Sequence, residues 1–215
     1  MRTSRIGTWL FWLLVAAASA YFYYDNAIAY LFGYRSPRFG NTLLSNQLWF
    51  SLHIIAASLP FSLGPTQVSK TVRSSYPRYH RIAGRLYVAG VLVAGLMSLK
   101  LSTISDCTGC RVPLATLSIV WLLLTGVAFA AILARNFVLH RHFMILSYTC
   151  TLAFVTIRLI YELPDSWFGF IESNEAVRTN FEWLCWVAPL LFVEIFIIAI
   201  PTIRQRRPAH TSLGA

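Results

Sequence analysis

Charge is what this sequence has least of. Only 12% of its 215 residues are ionised at neutral pH, 18 of them basic and 8 acidic. A water-soluble domain of this length needs more charge than that to cover its surface. Gly-rich phosphate cradles, Ser-His-Asp arrangements and nucleotide fingerprints are missing as well, which leaves ATP-driven and ordinary hydrolytic chemistry without a motif. Long polar loops are scarce, so the chain reads as a single domain over 1–215 with no soluble enzyme module.

What fills the chain instead is apolar: 57% of the residues are hydrophobic, and the mean hydropathy is +0.60. Crossing a hydrocarbon core of about 30 Å takes a helix of roughly 20 residues. Six stretches meet that length, near 8–32, 44–64, 82–103, 113–134, 141–163 and 182–203, followed by a polar tail over 204–215. The runs are continuous rather than alternating every second residue, which selects helices over barrel strands. The expected fold is therefore all-α, a polytopic membrane bundle of six transmembrane helices. Arg2 and Arg5, a short apolar core and Ala17-Ala18-Ser19-Ala20 also fit a cleavable signal peptide. A retained helix is favoured, because the apolar and aromatic run continues through Tyr21, Phe22, Tyr23 and Tyr24.

The scattered cations set an orientation. Short cytoplasmic loops of membrane proteins carry an excess of Lys and Arg, and here Arg2, Arg5, Lys70, Arg73, Arg78, Arg81, Arg85, Arg135, Arg141, Arg204, Arg206 and Arg207 fall on one side of a six-span path. Both termini are thus expected in the cytoplasm. The longest outer loop instead carries Glu162, Asp165, Glu172 and Glu175 with one Arg178. The same distribution explains the net charge of +10. It sets topology and attracts anionic lipid head groups, so the expected partner is the bilayer and not nucleic acid. The expected location is the bacterial inner (plasma) membrane.

Of the four cysteines, Cys150 and Cys185 fall inside spans, where a thiol is usually a packing residue. Cys107-Thr108-Gly109-Cys110 falls in a predicted outer loop. A close pair in an oxidising compartment can be a small disulfide; free thiols, or redox or metal chemistry, are the other readings.

Ionisable residues within spans are costly, at about 2.5 to 3.5 kcal/mol on insertion scales, and are kept for function or internal pairing. His53, Arg158 and Glu194 are the three. At about 1.5 Å per residue, His53 is expected about 13 Å from the outer end of its helix and Glu194 about 18 Å from the outer end of the last one. Comparable depth makes them candidate partners in an inner polar site. Arg158, within roughly 8 Å of the outer face, is better placed to meet Glu162 one turn on or to extend outward.

His80 and His140 are each followed by Arg, and each opens a helix entering the membrane from the cytoplasmic side. Neutral imidazole is a ligand for haem iron and first-row metals, and a bis-histidine haem in a bundle needs ligands from different helices at similar depth. The bland alternative is an interfacial histidine bonded to a carbonyl or a lipid phosphate. His142 follows His140 by two residues and turns to another face, which makes it a weaker third ligand for a metal at His80 and His140.

His53, Gly64-Pro65-Thr66-Gln67, His80-Arg81-Ile82-Ala83-Gly84-Arg85-Leu86-Tyr87, His140-Arg141-His142-Phe143-Met144, Val155-Thr156-Ile157-Arg158-Leu159, and Trp183-Leu184-Cys185-Trp186 with Glu194 occur in this order. That series resembles the DUF 2306 family of predicted multi-span membrane proteins over roughly residues 45 to 200, a family name that implies no activity. Phe143 stands where the family has Trp, and His142 where Arg is common. A looser resemblance is to six-span b-type cytochromes, whose second to fifth helices carry paired haem histidines. By that likeness His80 and His140 would hold one haem b, while the fourth span, around Leu114 to Leu133, has no histidine to partner His53.

Two functional expectations follow. One is a transmembrane electron-transfer protein with haem b or a metal at His80 and His140, with a quinone or membrane redox partner. The other is a non-enzymatic membrane subunit, assembly factor or transporter whose intramembrane polar residues hold helices together or bind substrate.

Overall fold

The computed structural model describes residues 44–161, 163–168 and 173–200, with residues 13, 17, 20, 21 and 24 as isolated positions before them. The expected first span and the polar tail lie outside the described residues. Every regular element described is helical: α1 (Leu44–Val68), α2 (Lys70–Ser75), α3 (Pro77–Thr103), α4 (Arg111–Leu133), α5 (Phe137–Thr151), α6 (Ala153–Tyr161), a 3-10 turn (Asp165–Phe168), α7 (Asn174–Phe192) and a π-wound continuation (Val193–Ala199). Five helices are long and apolar enough to cross a bilayer, α5 and α6 together counting as one from Phe137 to Ile160.

Local chemistry explains the boundaries. Pro77 begins α3 at a position where its missing N–H costs nothing. Ser69, Asn136 and Ser173 cap α2, α5 and α7, each side-chain oxygen accepting a backbone N–H. Between α4 and α5 the chain reverses in a Schellman-type turn: Asn136 N–H donates to Ala131 O at 2.8 Å and Arg135 N–H to Ile132 O at 3.0 Å. Arg135 holds the left-handed position, φ 57°, that glycine usually fills. The tight reversal brings the first turn of α5 against the last turn of α4. The last span starts at Asn174, eight residues before the hydropathic estimate of 182, because its first turns carry Glu175, Arg178, Asn180 and Glu182.

α1 packs along α3, α3 on α4, α4 on α5, and α5 back on α1, so α3 and α5 face each other across the diagonal of a four-helix square. α7 lies outside it against α4, α5 and α6. Lipid gives helices no hydrophobic reason to associate, so close packing of small residues and internal hydrogen bonds take that role. Leu52, Ile55, Leu92, Leu96, Leu123 and Leu159 point outward. Inside, a β-carbon on Gly90 would lie 2.8 Å from both Ala56 O and Pro60 Cδ, and Gly64 offers the same flat seat to the Tyr148 ring.

The square is tied across its centre by hydroxyls. Tyr87 Oη lies 2.9 Å from Ser147 Oγ and 3.2 Å from Thr151 Oγ1, and Ser147 Oγ lies 2.7 Å from Thr125 Oγ1. Thr125 also donates to Trp121 O, and Thr151 to Ser147 O. All four residues are buried. Tyr87→Phe leaves Ser147 short of a partner and is expected to cost about 1 kcal/mol, the scale of an interhelical hydrogen bond in a membrane. Reversible denaturation in mixed micelles checks it; an unchanged midpoint would deny the network a stabilising role.

Candidate functional site

The bundle carries polar side chains at two levels, one near each end. At the end where α3 and α5 begin, His80 lies three residues after Pro77 and His140 three residues after Phe137. The two helices run in the same direction, so the histidines sit at matching depth on facing helices. His140 Nδ1 is 2.9 Å from Ala128 O. A carbonyl can only accept, so Nδ1 is the donor, and in a neutral ring Nε2 is the nitrogen left to ligate. His80 lies within electrostatic range of His140 and Arg73, and its Nδ1 is buried without a hydrogen-bond partner.

His142 faces away from this pair. Its Nε2 is 2.8 Å from Glu194 Oε2, at ion-pair distance but without the alignment of a hydrogen bond, and its ring stacks on Phe143 with centroids 5.2 Å apart. Two expectations change here. Glu194 was expected beside His53, on the estimate that it lies about 18 Å into the last helix. Because α7 starts at Asn174, Glu194 is 20 residues along, about 30 Å down, level with the opening turns of α5. His142 was also weighed as a third ligand beside His80 and His140. Two residues of helix turn it toward the π-wound segment of the last span, and among the described residues no group of three or more His, Cys, Asp and Glu could hold a metal. The π winding follows Pro189, which cannot donate back to Cys185 O.

The other level lies toward the end carrying Cys107 and Cys110. These two close a disulfide, Cα–Cα 5.2 Å, in a loop fastened to α7 by Arg178 Nη2 to Asp106 Oδ1 at 3.3 Å and by Gly109 N–H to Glu175 Oε1 at 2.8 Å. Arg111 donates from Nε and Nη2 to Ser105 O at 3.0 Å. Beneath the loop a cavity of about 260 Å³ reaches down among α1, α3, α4, α5, α6 and α7 to His53 and Trp121. His53 Nδ1 donates to Ala94 O at 2.9 Å, which leaves Nε2 as an acceptor. Arg158 also lines this space, its guanidinium 5.5 Å from the Phe154 ring centroid; its expected companion, Glu162, lies outside the described residues. Arg158 Nε and Trp121 Nε1 are both buried donors without a hydrogen-bond partner. An unmet buried donor costs about 1–3 kcal/mol.

His53 and Arg158 share one chamber, although by depth the sequence set Arg158 apart near the outer face; Glu194 does not line it. Sequence reasoning passed over Trp121, Asp106, Arg178 and Glu182, which also line it. One signal was available: Ser98, Ser102 and Ser105 recur at helical spacing in an otherwise apolar run, and all three face the cavity.

The family described as predicted membrane protein, DUF2306, matches residues 50–197. The chain belongs to the DUF2306 family. The family match contains every polar residue of both levels, from His53 to Glu194. No curated protein and no solved structure matches the chain. Family and helices together make it an integral membrane protein in a lipid bilayer.

Proposed function

We propose that this DUF2306 protein is a transmembrane electron-transfer protein, with one haem b held by His80 and His140. The observation that carries the reading is the pair of histidines at equal depth on helices facing across the bundle. His140 is oriented by the Ala128 carbonyl so that Nε2 is its ligating atom, and the buried, unpartnered ring nitrogen of His80 fits a side chain that gains its partner from a bound group. Haem iron would supply one-electron chemistry between ferric and ferrous states. Arg81 and Arg141, exposed and adjacent in sequence to the two histidines, suit the anionic edge of such a group and the anionic lipid head groups around it. The charge distribution supports placing this end at the cytoplasmic face, and the location proposed is the bacterial inner (plasma) membrane.

The test is the visible spectrum of protein purified from haem-replete cells. A sharp α band after dithionite reduction is the expected result. A colourless preparation overturns the reading and leaves a membrane subunit or transporter whose polar residues hold helices together or bind a substrate.

A further inference from the structure

The chamber around His53 has a chemistry of its own. By helix rise, His53 and Trp121 lie about 13–15 Å below the disulfide end of the bundle, and Arg158 about 5 Å below it. At the inner level the chamber is lined by His53, whose Nε2 is an acceptor, and by Trp121, whose Nε1 is an unmet donor. A hydroxyl group serves both, donating to the imidazole and accepting from the indole. At the outer level Arg158 Nε is a second unmet donor, which asks for an oxygen acceptor. Between them the walls are largely aromatic and aliphatic, including Phe50, Phe61 and Phe154. Its volume of about 260 Å³ lies below the usual span for drug-sized ligands and suits a single substituted ring.

We propose that this chamber binds the head group of a lipid-soluble quinone–quinol couple, one ring oxygen between His53 and Trp121 and the opposite one at Arg158. The roughly 9 Å difference in depth is what a six-membered ring with oxygens at both ends spans when it is hydrogen-bonded at each end. Taking a redox-active ring over another para-oxygenated aromatic rests on the electron-transfer reading above. The binding geometry rests on the chamber alone.

Tryptophan fluorescence of the full chain in nanodiscs, titrated with duroquinone, tests the proposal without reference to haem. Wild type should show saturable quenching, most of it lost in Trp121→Phe. Arg158→Leu should weaken the apparent affinity for duroquinone by about tenfold or more; His53→Phe, which removes the acceptor for a ring hydroxyl, should weaken the reduced form, durohydroquinone, by as much and duroquinone far less. Arg158→Lys keeps the charge but removes Nε, and should resemble Arg158→Leu. Ala57→Phe fills the chamber from α1 and should abolish saturation while the helical circular dichroism is retained, which separates lost binding from lost folding. Quenching that rises linearly with duroquinone and is identical in wild type and every variant overturns the proposal and leaves the chamber to water. A colourless protein that binds duroquinone saturably refutes the haem reading and keeps this one; a haem-bearing protein that does not bind it does the reverse.

Discussion

His140→Ala is expected to eliminate the α band of the reduced protein, and His80→Ala to do the same, each by at least about tenfold, since outer-shell changes alone cost 10–100-fold in metal-site affinity. The argument is geometric. Among the described residues the two histidines at this depth on facing helices are His80 and His140, and both would be needed to hold the group. His142→Ala provides the contrast. Its imidazole is committed to Glu194 at 2.8 Å, on the face turned away from His140, so the α band should survive with its position little changed. A spectrum lost in His142→Ala and kept in His80→Ala would reassign the ligands. It would also require α3 to contribute nothing at this end.

Gly90→Leu is expected to destabilise the bundle by about 2–3 kcal/mol, the usual scale for forcing volume into a packed interior. At this point α3 rests directly on α1: a β-carbon would stand 2.8 Å from Ala56 O and Pro60 Cδ and 2.9 Å from Leu59 Cβ. A backbone carbonyl and a proline ring cannot swing aside as a flexible side chain does, so the helices must separate along their most extensive seam. Gly126→Leu makes the matched control. Nothing stands within 4 Å of its β-carbon position, and its effect should stay within about 0.5 kcal/mol. Denaturation of both variants in mixed micelles separates the cases. Equal midpoints would show that α1 and α3 do not hold each other through Gly90.

The five described spans were legible because a bilayer imposes a length on apolar runs, and helices satisfy their own backbone within it. The matching depth of His80 and His140 was legible for a similar reason: both follow a short turn, both precede Arg, and both open a helix of the same direction. Depth along the last helix was not. Asn174, Arg178, Asn180 and Glu182 look like loop to a hydropathy scan, yet they form the first turns of α7, where several of them meet the disulfide loop or the chamber. That error of eight residues moved Glu194 from the middle of the bundle to its end and changed its partner. The chamber was least legible. Its walls come from helices distant in sequence, and no spacing within one helix announces that Trp121 and Arg158 will both lack a hydrogen-bond partner on the same space.

The hydroxyl cluster between the two levels has a fixed polarity. Thr125 gives its proton to the Trp121 carbonyl and Thr151 gives its proton to the Ser147 carbonyl, so both threonine oxygens can only accept from their neighbours. With Ser147 donating to Thr125, the single Tyr87 proton is shared between Ser147 at 2.9 Å and Thr151 at 3.2 Å. Every proton is spoken for, and the chain ends on a peptide oxygen with nothing to pass onward. The cluster thereby links α3, α4 and α5 through side chains alone. A rotation of any one of these helices would leave a buried hydroxyl without its partner, so the cluster fixes their mutual orientation at the depth between the two polar levels.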